Sequence, residues 1–191
     1  MIFQALNIIQ TQLNGYVIDD GSAISASLGN IGEIISGGNL NSTDEDIIIS
    51  LINVEENRIS RDPKNYTRSG TDIFRKNPPV HLNLTLLFTA VRSESAYGLA
   101  LKHLQGVFEF FQGKYVFDRT TDFALFANTN IEKLVLEMVT LSIEQLNQLW
   151  SVMGGRYQPS VVYRMRMVTI DSVTNVPGSV ITEVNTKYNM I

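Results

Sequence analysis

The strongest structural pattern in the sequence is an alternation of apolar and polar residues that begins directly after Pro78 and Pro79. Every even-numbered residue from Val80 to Ala90 is apolar. Polar residues alternate with them: His81, Asn83, Thr85 and Thr89. Because successive side chains of a strand point to opposite faces of a sheet, the pattern predicts a strand with one buried face. The chain must therefore supply other elements that cover this face.

Apolar residues at helical spacing predict three helices. They run over residues 2–13, 97–113 and 142–153, and Ser142 with Gln145 forms a capping box at the start of the third. The core-facing residues predicted for the second helix are Tyr97, Leu101, Leu104, Phe108 and Phe111. Those predicted for the third helix are Leu146, Leu149, Trp150 and Met153.

Three further strands are predicted over residues 46–57, 131–141 and 159–171. The order of these elements predicts an α+β (mixed α/β) fold, in which helices pack on a sheet of about four strands. We expect a single domain over residues 1–171, followed by a C-terminal tail over residues 172–191.

Two long polar connections of opposite charge interrupt these elements, and we interpret both as loops. Residues 17–46 contain six acidic and no basic residues, a local charge of −6. Residues 57–79 contain six basic and two acidic residues, a local charge of +4. Loops of this length are uncommon in compact domains and are usually functional or disordered.

The composition excludes several kinds of chemistry. The chain has no cysteine, so it forms no disulfide and has no thiolate ligand or cysteine nucleophile. Its 191 residues are 44% hydrophobic with a net charge of −4, which indicates a globular protein without a general affinity for nucleic acid. The glycine-rich phosphate-binding motifs and the HExxH zinc motif are absent from the sequence. We therefore expect no cofactor and no metal ion.

The titratable residues favour structural roles. His103 lies beside an apolar helix stripe, where an edge-of-core position is favoured over metal ligation, and His81 lies on the polar side of its strand. Asp46 ends an acidic run that we interpret as solvated. Glu137 lies among apolar residues, and we expect a cross-strand pair with Arg164 or Arg166 in preference to a catalytic acid.

The basic connection is the candidate binding segment. Its cations are Arg58, Arg61, Lys64, Arg68, Arg75 and Lys76. Tyr66 and Phe74 could stack on bases, but the acidic charge of the whole chain favours a protein partner over nucleic acid.

Several long segments together resemble the cap, or tail-terminator, proteins of phage-tail-like contractile injection systems. This family includes the caps of the antifeeding prophage and of the Photorhabdus virulence cassette. The segments that carry the resemblance are IFQALNIIQTQLN, IISLINVEENR, NPPVHLNLTLLFTA, YGLALKHLQGVFEFFQ and LSIEQLNQLWSVMGGRYQPSVVYRMRMV. The resemblance covers residues 1–170.

The resemblance implies a structural protein without enzymatic activity and with a tail-terminator-like fold. It implies a homohexameric ring that contacts the inner-tube protein and the sheath protein at the end of the particle distal to the baseplate. It also implies assembly in the bacterial cytoplasm into a particle that can be released, with no need for membrane contact.

Two other classes remain open from the residues alone. An intracellular adaptor or regulator could use the same basic segment to bind one acidic protein outside any large particle. An enzyme would require a deep pocket around Glu137.

Overall fold

The computed structural model describes the greater part of the chain. Its described residues are 1–18, 21–37, 46–57, 66–69, 72–75, 80–92, 96–170 and 176–177. The side chains of residues 66–69, 72–75, 167–170 and 176–177 are not described. Most of the predicted C-terminal tail therefore lies outside the described residues.

The described residues form five helices and nine strands. The helices are α1 (Ile2–Asn14), α2 (Ile31–Ser36), α3 (Tyr97–Gly113), α4 (Phe123–Phe126) and α5 (Ile143–Val152). The strands are β1 (Ala26–Leu28), β2 (Ile47–Glu56), β3 (Tyr66–Ser69), β4 (Asp72–Arg75), β5 (Val80–Ala90), β6 (Val116–Asp118), β7 (Lys133–Val139), β8 (Ser160–Ile170) and β9 (Val176–Pro177).

Six of these strands form one large sheet in the order β1-β2-β5-β8-β7-β6. Strand β1 is parallel to β2, and the other neighbours in this sheet are antiparallel. The predicted α+β fold is confirmed, with six strands in the sheet instead of about four. The two additional strands, β1 and β6, have three residues each, which is too short for a recognisable alternation.

Helices α1 and α3 cover one face of the large sheet. The even-numbered residues Leu84, Leu86 and Phe88 of β5 are fully buried there, as the alternation predicts. Phe88 makes edge-to-face contacts with Phe111 of α3 and Tyr163 of β8, with ring centroids 5.2 and 5.6 Å apart. Such aromatic pairs stabilise a core beyond the area that they bury.

Helices α2 and α5 cover only part of the opposite face. Trp150 of α5 packs there with Ile31 and Ile35 of α2 and with Leu87 of β5. The predicted capping box of α5 is present, since the side chains of Ser142 and Gln145 each bind the other residue's backbone N–H. Within the described residues no other helix covers this face, and β2 changes from buried to exposed after Ser50.

The prediction of a loop over residues 17–46 is wrong for much of its length. This segment contains β1 and α2, and Ile18, Ile24 and Ile31 are buried in the two cores. Its acidic and small residues suggest a solvated segment, but widely spaced isoleucines anchor it to the sheet. Residues 19–20 and 38–45 lie outside the described residues.

The second predicted loop, residues 57–79, also contains regular structure. Strands β3 and β4 pair antiparallel, and β4 pairs with β9 to complete a separate three-stranded sheet. In this sheet β3 is an outer strand, because β4 is its one neighbour among the described strands.

Helix α3 has the predicted bounds but presents a different face to the core. Its buried residues include Ala100, His103, Val107 and Phe110, whereas three of the five predicted core residues are exposed. Those three are Tyr97, Leu101 and Phe108. The helix is apolar on more than one side, and the side that faces the rest of the fold is the one on which Gly106 lies against Ile18 and Ile24.

Asp46 is buried, although the sequence suggests a solvated carboxylate. Its side chain is only 7% exposed. Its Oδ2 atom accepts a 3.0 Å hydrogen bond from the backbone N–H of Ser25. Its Oδ1 atom contacts the guanidinium of Arg92 and lies 3.2 Å from Nδ1 of His103. One carboxylate thus joins the residue before β1, the segment just after β5 and the middle of α3.

We predict that Asp46→Ala lowers the free energy of unfolding by about 3 kcal/mol, because it leaves the partly buried guanidinium of Arg92 without its anion and the N–H of Ser25 without its acceptor. Urea denaturation followed by circular dichroism measures this loss. The matched control is Glu132→Ala, which removes an exposed carboxylate and should change stability by less than about 0.5 kcal/mol. Equal midpoints for the two variants would contradict a structural role for Asp46.

We predict that Gly106→Ala lowers the free energy of unfolding by about 1–3 kcal/mol, because the core has no room for a methyl group there. A Cβ atom at Gly106 would lie 2.4 Å from Cγ2 of Ile18 and 2.9 Å from Cδ1 of Ile24. Gly98 lies in the same helix with nothing within 4 Å of its Cβ position. Gly98→Ala should therefore be neutral or stabilise the protein by up to about 1 kcal/mol. Thermal unfolding of the two variants measures the difference between them. A lowered midpoint for Gly98→Ala together with an unchanged midpoint for Gly106→Ala would contradict the prediction.

Candidate interaction surfaces

Glu137 forms the cross-strand ion pair expected from the sequence. It lies opposite Arg164 in the register of β7 and β8, and its Oε1 atom accepts a hydrogen bond from Nη2 of Arg166. The side chains of Glu137 and Arg166 are 47% and 44% exposed on the open part of the sheet face. The sequence predicts Arg164 or Arg166 as the partner, and in the structure Arg166 forms the ion pair.

The histidines are placed apart from each other. His103 is buried beside Asp46, deeper than the edge-of-core position predicted for it, and His81 is half-buried on β5. In the described part of the chain, no three His, Asp or Glu side chains are grouped so that they could hold a metal ion. None of the helices in the described part of the chain is long and apolar enough to span a membrane.

The displaced face of α3 creates an exposed apolar surface. Tyr97, Leu101 and Phe108 of this helix are 52%, 44% and 39% exposed, and Tyr115 and Met138 extend the surface beyond its C-terminal end. We call these five residues the α3 surface. Contiguous exposed apolar area of this kind is typical of protein interaction sites.

A groove of about 380 Å³ lies at the C-terminal end of the α3 surface. It is lined by Phe108, Phe111, Gln112, Tyr115, Leu136, Met138 and Tyr163. Burial raises the pKa of the Tyr163 phenol above its ordinary value, so this side chain stays uncharged at neutral pH. The groove is therefore an apolar site without a fixed charge among its lining residues.

An open strand edge lies at the other end of the sheet. Strand β1 pairs only with Ile47–Ile49, and no other described strand pairs with that side of β2 beyond Ser50. We call residues 51–56 the β2 edge. The backbone N–H of Val54 donates to Oδ1 of Asn53 at 2.9 Å, and Nδ2 of Asn53 donates to Oε1 of Glu55 at 2.9 Å. One amide side chain thus satisfies polar groups along this edge.

A second groove, of about 640 Å³, lies where the β2 edge begins. Gly29 and Asn30, which follow β1, line it together with Leu51 of β2 and Val152 at the end of α5. Val152 is 83% exposed, so the groove is partly apolar and open to solvent.

The predicted binding cations cannot be added to either surface. Arg58, Arg61, Lys64 and Lys76 lie outside the described residues. Arg68 and Arg75 lie in β3 and β4, of which the backbone alone is described. Their role in binding stays a prediction.

Sequence reasoning missed both the α3 surface and the β2 edge. The apolar residues of α3 spread over too much of the helix for one core-facing stripe to be chosen. The acidic pair Glu55 and Glu56 at the end of β2 is a known device of edge strands. The length of the open edge depends on where β1 ends, and the sequence of β2 contains no information about that.

Comparison with protein families and solved structures identifies relatives of this fold. The model of the Pvc16 N-terminal domain family matches residues 4–183. The cryo-EM structure of the sheath/tube terminator of PVC, an extracellular contractile injection system, in the extended state matches with a TM-score of 0.64 and 14% identity. The match covers 100% of this chain and 64% of that one.

The cap of the anti-feeding prophage, a tube-terminating cap, matches with a TM-score of 0.63 and 14% identity. This match covers 96% of the chain and 60% of the cap. The chain therefore spans less than two thirds of the length of both structures. No match was found among curated protein sequences. The resemblance to terminator proteins is confirmed for the family and for the fold.

We predict that Glu137→Gln changes the free energy of unfolding by less than about 1 kcal/mol, because its ion pair with Arg166 is half exposed and screened by water. Chemical denaturation of this variant beside Glu132→Gln, an exposed residue just before β7, measures the difference. A loss of more than about 2 kcal/mol at Glu137 alone would show that the pair is more than a surface interaction.

Proposed function

Because the chain belongs to the Pvc16 N-terminal domain family, we propose that it caps a contractile injection particle. In this role a homohexameric ring of the chain closes the inner tube and the sheath at the end distal to the baseplate. The ring stops further addition of tube and sheath subunits and holds the sheath extended. The observation that supports the proposal most directly is the family match over residues 4–183, together with the fold shared with two terminator structures.

The distribution of exposed surfaces supports a ring. A closed ring of identical subunits in head-to-tail contact needs two different, complementary surfaces on each subunit. The α3 surface includes Met138 of β7, and the β2 edge lies towards the opposite end of the sheet. Six copies, each with a net charge of −4, give the ring a formal charge of −24.

The same surfaces support a structural role without catalysis. The titratable residues discussed in the sequence analysis have structural contacts. Asp46 and His103 lie next to each other in the core, and Glu137 forms a cross-strand pair with Arg166. The partners in this proposal are the inner-tube protein, the sheath protein and further copies of the chain. Assembly takes place in the bacterial cytoplasm, into a particle that can be released. The contact does not require a membrane, a nucleic acid or a cofactor.

The decisive experiment tags the chain at its native locus and identifies what co-purifies with it. We expect a particle that contains tube, sheath and baseplate proteins, with the tag in a six-fold ring at one end in cryo-EM reconstructions. Deletion of the gene should give tubes and sheaths of irregular length. Recovery of the chain alone, or with one small acidic partner, would support the adaptor and contradict the cap.

We predict that Arg61→Glu with Lys64→Glu lowers incorporation into particles about tenfold, the effect of losing about 1.4 kcal/mol of binding free energy. The reversed charges face an acidic partner in this proposal. Lys133→Glu with Arg156→Glu reverses two exposed cations elsewhere and is the matched control. Quantitative mass spectrometry of purified particles measures incorporation. Equal incorporation of the two variants would exclude the basic segment from the assembly contact.

A further inference from the structure

The β2 edge and the outer strand β3 are complementary in length. The β2 edge offers six residues without a neighbouring strand among the described ones, and β3 has four residues. A strand added to the β2 edge would occupy the row of β1, beyond Gly29 and Asn30. The groove beside Leu51 leaves room there for the first side chain of the added strand.

The two strands are also complementary in charge. From Ile47 to Asn57 the only charged residues are Glu55 and Glu56, both acidic. From Lys64 to Ser69 the only charged residues are Lys64 and Arg68, both basic. Opposite charges on neighbouring strands stabilise a sheet, whereas like charges directly opposite destabilise it. Pairing of two β2 edges is therefore disfavoured, and pairing of the β2 edge with β3 is favoured.

One backbone donor on the β2 edge is held by a side chain. The N–H of Val54 donates to Oδ1 of Asn53, and among the described strands none pairs with this side of β2 beyond Ser50. Movement of that one exposed side chain frees the donor for an incoming carbonyl group. Main-chain hydrogen bonds of this kind provide the affinity in complexes formed by strand addition.

We propose that β3 of one copy adds to the β2 edge of the neighbouring copy, which joins the small sheet of one subunit to the large sheet of the next. The inference rests on the proposed ring, since it identifies the head-to-tail contact between subunits. A second copy is the occupant because the chain itself supplies an outer strand that is short enough for the β2 edge and opposite to it in charge. Both ends of the contact are then present in every subunit, as a closed ring requires.

The test uses disulfide cross-linking in assembled particles, which is unambiguous because the natural chain has no cysteine. Val54→Cys is combined with Cys at each β3 position in turn, and particles are purified under mild oxidation. A disulfide requires Cα atoms about 4.4–6.8 Å apart, the separation found between facing residues of adjacent strands. We expect cross-linked ladders that reach the hexamer, strongest at one β3 position and weaker at its immediate neighbours.

Three controls identify the contact. Val54→Cys alone should not cross-link, since a symmetric pairing of two β2 edges is the arrangement that would link it. Val54→Cys with Tyr157→Cys places the second thiol on an exposed residue outside β3 and should also give no ladder. Co-expression of Val54→Cys and Tyr66→Cys chains with tags of different size should give a mixed dimer, which proves that the link joins two copies.

A charge exchange tests the same contact independently of the exact register. Glu55→Arg with Glu56→Arg should lower incorporation about tenfold, and so should Arg68→Glu, because each places like charges opposite one another. The triple variant restores the opposite charges and should recover incorporation to within about threefold of the natural chain. Circular dichroism of the separate variants checks that each of them is folded.

Failure of this inference can be distinguished from failure of the proposed function. If the cysteine variants are incorporated into particles and none of the β3 positions cross-links, strand addition between copies is wrong and the cap proposal stands. Links within one chain, or to a tube or sheath subunit, overturn the inference in the same way. If the natural chain is absent from particles, the proposed function itself is wrong.

Discussion

The buried carboxylate of Asp46 organises the first half of the fold. An ionised group in a protein interior is costly unless it is paired and hydrogen-bonded, and Asp46 has Ser25, Arg92 and His103 around it. These partners are separated from it by 21 to 57 residues along the chain. The contact therefore places β1 beside β2, positions the end of β5, and fixes which side of α3 faces the sheet. The α3 surface is exposed because of that orientation.

The sequence predicts best those elements whose pattern is local. The alternation in β5, the capping box of α5 and the pairing of Glu137 with a β8 arginine follow from residues close in the chain or in a ladder. The face of α3 could not be predicted in this way, because the helix is apolar on several sides and its orientation depends on contacts with residues far away in the sequence, such as Asp46 and Ile18. The acidic segment before β2 was misjudged for a related reason, since a few isoleucines are enough to anchor it.

The candidate surfaces are harder still to predict, because they consist of groups that the fold leaves without a partner. Whether an apolar residue such as Phe108 is exposed, or whether β2 extends beyond its neighbour, depends on where other elements end. The sequence shows the opposite charges of residues 17–46 and 57–79. It does not show that parts of these two segments form strands. Family membership and fold can therefore be predicted, because long stretches of the chain contribute to them. A contact surface is harder to predict, because it depends on a few side chains.

The side chain of Asn53 has a consequence for the protein before any assembly takes place. A chain that is synthesised in many copies with an open strand edge is exposed to aggregation through that edge. Asn53 occupies the N–H of Val54 and so removes one backbone donor from this edge. The bulge between Leu51 and Asn53 interrupts the regular ladder at the same place. The same short stretch of β2 thus carries a side-chain cap and a break in the ladder, two features that disfavour uncontrolled pairing along the edge of a strand.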